Sequence, residues 1–534
     1  MKNQKHNNGT QALFRRTWSP FIKFSLLISL FSALPLIYIL YQAAGASIES
    51  WSKLLKAKIP VLLFNTISLA LVTAAIASII AFTLAWLIIK TDLPFKKTFH
   101  WLAAMPLAIP VYIATFTYIT ILGPAGAIPK LISNILNITV LELKFNFIYS
   151  FMGVALIFSF FTYPYIYLLL CNSLKNIDGN LEDASISSGL KLRETFRKVI
   201  LPLITPSIFS GSLLVIIYVM ADFGAISMLR FESFTRVIYL QLIGRYDRAS
   251  ATILSSVLVL FIYIFLWIEN YIRTRKTLYT STNTQKSSKV YKLNKWKIPC
   301  LLLVLIIFTF TLFIPMATLI FWSAKGVFSG VLSINFFKYV TDSLLLSLIT
   351  ATVVTLIALP VSFVNTRYKN NLYKVISKLA YTGYALPGII TALGTIFIFN
   401  RFLPGLYKTL FCLIAAYVIK LLPQCLQSQE NTLLQLSSYY EDTSLTLGYK
   451  PWTSLRKVTI PLMKGGIISG WVLVFINVTK ELPATLLLRP PGFDTMAVRV
   501  WIDASEGIYT SASPIALLLI GMSMLTMKFL MKYK

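Results

Sequence analysis

LEDASISSGLKLRETFRKVILP, Leu181 to Pro202, returns 259 residues later as YEDTSLTLGYKPWTSLRKVTIP, Tyr440 to Pro461. Aligned without a gap, the two share Glu182/Glu441, Asp183/Asp442, Ser185/Ser444, Gly189/Gly448, Arg197/Arg456, Lys198/Lys457, Val199/Val458 and Pro202/Pro461. Both are polar interludes in an apolar chain, so one device is present twice. The repeat reaches further. The stretch from Asn65, NTISLALVTA, aligns with DSLLLSLITA from Asp342 at an offset of 277, and Ala108-Ile109-Pro110 aligns with Ala385-Leu386-Pro387 at the same offset. The change of offset puts about 18 extra residues in the first half, assigned to the stretch from Gly123 to Asn146.

Composition sets the class. Hydrophobic residues make up 57% of the 534 and charged residues only 13%, with a mean hydropathy of +0.73, which excludes an ordinary soluble globular protein. A bilayer-crossing helix needs about 20 apolar residues, and twelve runs qualify: 21–44, 61–89, 101–122, 149–171, 206–229, 251–268, 298–322, 343–366, 375–400, 409–427, 465–488 and 513–531. The expectation is an all-α polytopic membrane protein of about 12 transmembrane helices. Six spans per half is an even number, so the halves run in the same direction and a pseudo-twofold along the membrane normal relates them. The expected organisation is a basic tail (1–20), a first half (21–269), a polar linker (270–297) read as a solvated tether, and a second half (298–534). The first apolar run is read as a retained helix, since it is too long for a cleaved signal and lacks a small-x-small cleavage site.

A net charge of +30 raises the question of a nucleic-acid partner. The excess of Lys and Arg falls on the segments that share a side with the two repeated loops, which is the positive-inside pattern and points to cytoplasmic termini. No nucleic acid is called for. Cys171, Cys300, Cys412 and Cys425 lack metal-ligand spacing, and His6 and His100 are the only imidazoles, so no metal or redox centre is expected. No glycine is directly followed by lysine, so the phosphate-cradling GxxxxGK[ST] loop is absent and no catalytic residue is assigned.

Two acidic residues fall inside predicted spans. Asp222 in VMADFGAISMLR and Glu481 in VTKELPATLLLR are 259 apart, as are Arg230 and Arg489. A carboxylate in a span costs roughly 2.5 kcal/mol or more, so it faces a bundle interior or an aqueous path and finds a partner. Two accounts stand: acids at outer helix ends neutralised by Lys480 or a nearby Arg, or a matched acidic element of a cation pathway. In the repeated loops, Gly189 and Gly448 permit a backbone reversal, and Pro202 and Pro461 sit where a first helical turn tolerates a missing N–H.

The loops, with Asp183-Ala184-Ser185 and Asp442-Thr443-Ser444 each followed by glycine four residues on and a closing Pro, resemble the EAA loops of ABC-importer permeases. LysGluLeuPro from Lys480 onward and the stretch from Ala221 to Leu242 are similar to fused ferric-iron ABC permeases. The triplets are not literal EAA. The resemblance implies coupling loops at 172–205 and 428–463, where Glu182, Asp183, Ala184, Ser185, Gly189, Glu441, Asp442, Thr443, Ser444 and Gly448 meet two cytoplasmic ATP-binding subunits. It further implies an extracytoplasmic solute-binding protein, a place in the cytoplasmic (inner) membrane, no cofactor in this chain, and ATP and magnesium held by the partner subunits. The substrate implied is Fe(III) or a ferric chelate; thiamine, polyamine, phosphonate or sulfate importers share the architecture. An ion-coupled secondary transporter is the alternative from another class.

Overall fold

Helix after helix follows from the apolar runs, because a backbone in hydrocarbon must satisfy every N–H and C=O within its own segment. The computed structural model describes residues 19–140, 142–274, 289–330, 335–368 and 371–532. Residues 1–18 of the expected tail and 275–288 of the expected linker lie outside them. Among the described residues, ten helices are long and apolar enough to cross a membrane, or twelve if each of two bent pairs counts as one span. The protein is a polytopic all-α membrane protein. Among the described residues the sole β pairing is an isolated bridge between Thr91 and Tyr291.

Several expected spans are broken rather than straight. The run 375–400 bends by 113° between Val375–Ala385 and Gly388–Phe402. Its counterpart 101–122 breaks between Met105–Ala108 and Val111–Leu122. The cause is the aligned Pro110 and Pro387: each drives the residue before it out of the helical region, leaving Ile109 at φ −91°, ψ 112° and Leu386 at φ −92°, ψ 115°. The runs 206–229 and 465–488 stop early as well, at Ala221 and Lys480.

Two compact units emerge, and they do not coincide with the two halves of the repeat. Within the described residues, one unit gathers 19–45, 335–499 and 525–532, and the other 46–330 and 500–524. In the first unit the Ser19–Ala44 helix packs on Phe336–Arg367, Asn371–Ala380 and Gly388–Phe402. The approach is close: a Cβ on Gly394 would sit 2.6 Å from the ring of Pro35. In the second unit the core is built by Ile59–Lys90, Phe151–Lys175 and Leu201–Ala221, with Tyr163, Tyr167, Phe158 and Phe161 fully buried. The Lys297–Phe308 and Ile314–Phe328 helices also pack there, on Ile59–Lys90 and Val111–Leu122.

Composition marks residues 270–297 as a solvated tether, yet 289–297 are stitched to the second unit. Tyr291 donates its N–H to the Lys90 carbonyl (2.7 Å) and accepts from Asp92 N–H (3.1 Å). Leu293 N–H donates to Asp92 Oδ1 at 2.8 Å, and Lys297 lies 3.7 Å from the same carboxylate. The Tyr291 ring stacks on Trp86. One aromatic and a few backbone bonds tie down a segment whose composition reads as polar.

Candidate functional site

Each repeated loop is a short helix, a left-handed glycine and a second helical turn. In the first, the Asp178 side chain accepts the Asn180 N–H (3.0 Å) to start the Gly179–Ser187 helix. Gly189 at φ +85° ends it, with Gly189 N–H bonded to Ile186 O (2.9 Å) and Leu190 N–H to Ser185 O (3.2 Å), the two bonds of a helix-terminating glycine motif. The second loop repeats the terminating bonds after Tyr439–Thr446: Gly448 at φ +87°, Gly448 N–H to Leu445 O (3.0 Å) and Tyr449 N–H to Ser444 O (3.1 Å). A Cβ on either glycine would meet nothing within 4 Å, so backbone conformation alone demands glycine. After each reversal the chain passes through a wide turn, Phe196–Ile200 or Leu455–Thr459.

Serines lock these loops shut. Ser185 Oγ donates to Glu182 O (2.8 Å) and pairs with Thr195 Oγ1 (3.0 Å). Ser444 Oγ donates to Glu441 O (2.8 Å) and pairs with Ser454 Oγ. The small side chains at 185 and 444 therefore face inward, whereas Ala184 and Asp442 are exposed and Asp183 and Thr443 partly so. Around them lie exposed apolar side chains: Leu181 and Leu192 on the first loop; Tyr440, Leu447 and Trp452 on the second.

Glu182 and Glu441 are turned into the protein. Glu182 pairs with Lys90, both side chains fully buried, and accepts the Tyr291 hydroxyl at 2.7 Å. Glu441 takes a two-pronged grip from Arg367, Nε to Oε2 at 2.8 Å and Nη2 to Oε1 at 2.9 Å. Lys90 and Arg367 are the last residues of the Ile59–Lys90 and Phe336–Arg367 helices, and they are 277 apart, the offset of the Asn65/Asp342 alignment. Each loop is thus bolted by its first acid to a cation at the end of an equivalent helix. Burial holds the Glu441 carboxyl above its ordinary value despite Arg367, and burial likewise raises Asp442. Asp183 is half-exposed and meets Lys289 of the linker at 3.1 Å.

The family described as binding-protein-dependent transport system inner membrane component matches residues 356–532. The chain is 29% identical to the Fe(3+)-transport system permease protein FbpB 2 of Haemophilus influenzae, over 95% of this chain and 97% of that one. It is 24% identical to the putative ferric transport system permease protein FbpB 1 of the same organism, over 75% of this chain and 65% of that one. To the probable sulfate transport system permease protein cysT of Helicosporidium sp. subsp. Simulium jonesii it is 30% identical, over 45% of this chain and 89% of that one. The chain belongs to this family of transport-system inner membrane components. It is a multi-pass inner-membrane permease of the ABC-importer type.

In the permease, Asp222 and Glu481 stand at the ends of broken helices. Asp222 follows Leu201–Ala221, and its Oδ1 accepts N–H from Ala225 (3.0 Å) and Ile226 (3.3 Å), capping Gly224–Met228. Glu481 follows Lys464–Lys480, and its Oε1 accepts the Ala484 N–H (3.4 Å) of Pro483–Leu488. Both acids thus supply negative charge to the N-termini of short, buried helices. They differ in one partner: Glu481 Oε2 lies 2.5 Å from Lys420 Nζ, a cation 61 residues away and not the adjacent Lys480 of the sequence reading. The residue 259 before Lys420 is Phe161, so the first half has no counterpart of that lysine. Gly388 makes room for the pair, since a Cβ there would meet both Glu481 Oε1 and Lys420 Nζ within 2.8 Å.

Sequence reasoning grouped Glu182 and Glu441 with the partner-facing residues and passed over Lys90 and Arg367. The signal existed: extending the 277 alignment pairs two cations at one helix end. It was hidden among the many basic residues that flank membrane helices.

Proposed function

We propose that this permease forms the membrane pathway of an ATP-driven importer for Fe(III) or a ferric chelate, with both termini in the cytoplasm. Two separate ATP-binding subunits would grip the loops at 179–200 and 439–459, and an extracytoplasmic binding protein would deliver the substrate. ATP and magnesium belong to those partner subunits. The ferric reading is carried by one observation: similarity to the Fe(3+)-transport permease runs almost end to end in both chains, whereas the sulfate permease aligns with less than half of this one.

The loops suit a mechanical role. A surface that transmits force needs rigid attachment behind it and complementary groups in front. Behind are the serine locks and the buried Lys90–Glu182 and Arg367–Glu441 pairs; in front are Ala184, Thr443, the Asp442 carboxylate and exposed apolar side chains. Closure of the ATP-binding subunits would move each loop together with the helix whose end it holds. Asp222 and Glu481, which cap broken helices, are assigned to the pathway as acidic points that bind a cation weakly, as passage requires.

The test is uptake of radiolabelled Fe(III) by the permease reconstituted with its ATP-binding and substrate-binding partners. ATP-dependent uptake that excess sulfate or thiamine leaves unchanged is the expected result. Uptake displaced by sulfate, or uptake without any ATPase, would overturn the substrate or the energy source respectively.

A further inference from the structure

Beside the Lys90–Glu182 bolt, the second unit contains an open surface pocket of about 400 Å³ that none of the preceding chemistry uses. Its polar lining is Lys96, Lys97, His100 and Lys175, and no carboxylate is among the lining residues. Lys96, Lys97 and His100 share the Lys96–Ala104 helix, and Lys175 ends Phe151–Lys175. The fold therefore brings cations from two helices to one hollow.

Like charges gathered without a counter-charge repel, and a bound anion relieves that repulsion. Three cations near this loop have acidic partners: Lys90 has Glu182, Lys289 has Asp183 and Lys297 has Asp92. Among the described residues, Lys96, Lys97 and Lys175 enter no ion pair. His100 is held by a 2.7 Å hydrogen bond to the Tyr167 hydroxyl, and burial together with the Lys175 ammonium lowers its pKa. The lysine charge is thus felt inside the hollow.

We propose that this pocket binds a phosphate-bearing anion, either the headgroup of an anionic phospholipid or free phosphate. Ammonium groups are strong point-charge partners for phosphate oxygens, and basic pockets between membrane helices take anionic headgroups. Size favours the lipid. A water molecule's share of liquid is about 30 Å³, so a lone phosphate leaves most of the volume unfilled, and Ile88 and Ile89 wall that remainder with apolar surface. Val290, the last lining residue, adjoins Tyr291, whose hydroxyl bonds Glu182. Occupancy therefore braces the linker segment against the first loop. The inference does not depend on which substrate the permease carries.

The full chain is reconstituted in phosphatidylcholine nanodiscs with increasing phosphatidylglycerol, and retained lipid is counted by native mass spectrometry. In parallel, lipid-depleted protein in detergent is titrated with inorganic phosphate. K96Q/K97Q/K175Q is compared with K130Q/K378Q/K464Q, which removes the same charge from exposed lysines elsewhere. Apparent affinity falls by about 5-fold per pocket lysine, given the strength of one lysine near an anionic surface, while the control triple stays near wild type. Loss confined to the nanodisc arm identifies the headgroup, and loss in the phosphate arm identifies the free anion. Equal behaviour of the two triples in both arms overturns the site. If the pocket triple does not fold, K97Q, at an exposed position, carries the same 5-fold expectation and the same refutation.

Discussion

Replacing Arg367 by Met should loosen the second loop without unfolding the permease. Arg367 Nη2 donates to Glu441 Oε1 (2.9 Å), its Nε lies 2.8 Å from Oε2, and its Nη1 donates to the carbonyls of Leu433 (3.4 Å) and Leu436 (3.2 Å). Removing one member of a buried ion pair costs about 3–5 kcal/mol, mostly because the other charge is left buried and uncompensated. Thr459 Oγ1, at 3.5 Å from Glu441 Oε1, is too distant to compensate. A loss of about 3 kcal/mol multiplies the loop's opening equilibrium by more than 100-fold. Hydrogen–deuterium exchange in nanodiscs reads this directly as lost protection of the Tyr439–Thr446 amides. The Gly179–Ser187 helix, held by its own bolt, is the internal control. Lys90→Met should have a smaller effect on that first helix, because the Tyr291 hydroxyl still serves Glu182. The double change Arg367→Met with Glu441→Gln removes both charges and should recover most of the protection. Exchange in Arg367→Met within twofold of wild type, or a double variant as open as the single, would refute the bolt.

Gly448→Val should weaken docking of the ATP-binding subunits by roughly 1–2 kcal/mol of backbone strain, while Gly448→Asn, tolerated at positive φ, should retain copurification; equal retention by both variants contradicts the role given to φ +87°. The raised Glu441 carboxyl makes a signed prediction: the stability contributed by this group is complete below the ordinary value near 4.5 and is lost as pH rises through the raised folded value. Protection of the second loop, corrected for intrinsic exchange, should therefore fall from pH 4.5 toward neutrality more steeply in wild type than in Glu441→Gln, and parallel profiles would count against it. Glu481→Gln leaves the Lys420 ammonium without its counter-charge and should lower folded yield more than Asp222→Asn. Adding Lys420→Met should restore yield but not Fe(III) uptake, and full uptake by that double variant would remove Glu481 from the pathway.

Much of this was legible in the chain itself. Apolar runs of bilayer length dictate helices because hydrocarbon offers backbone groups no other partner. The loops were legible from local rules too, in the glycines where φ is positive; Pro202 and Pro461, expected in a first turn, sit instead inside the helical runs Leu192–Ala221 and Pro451–Leu462, just after the wide turns. The breaks before Pro110 and Pro387 were marked in the sequence by the prolines themselves, although apolar length alone hid them. What local rules do not carry is which charge meets which. Glu182 and Lys90 are 92 residues apart, Glu441 and Arg367 74, and Glu481 and Lys420 61. Those pairings arise when packed helices bring their ends together, and a buried carboxylate then takes the cation within reach, not the one adjacent in sequence. The same holds for the Ser19–Ala44 helix, which joins the unit containing residues 335–499. An apolar helix states that it must be covered, and only the three-dimensional packing decides by what.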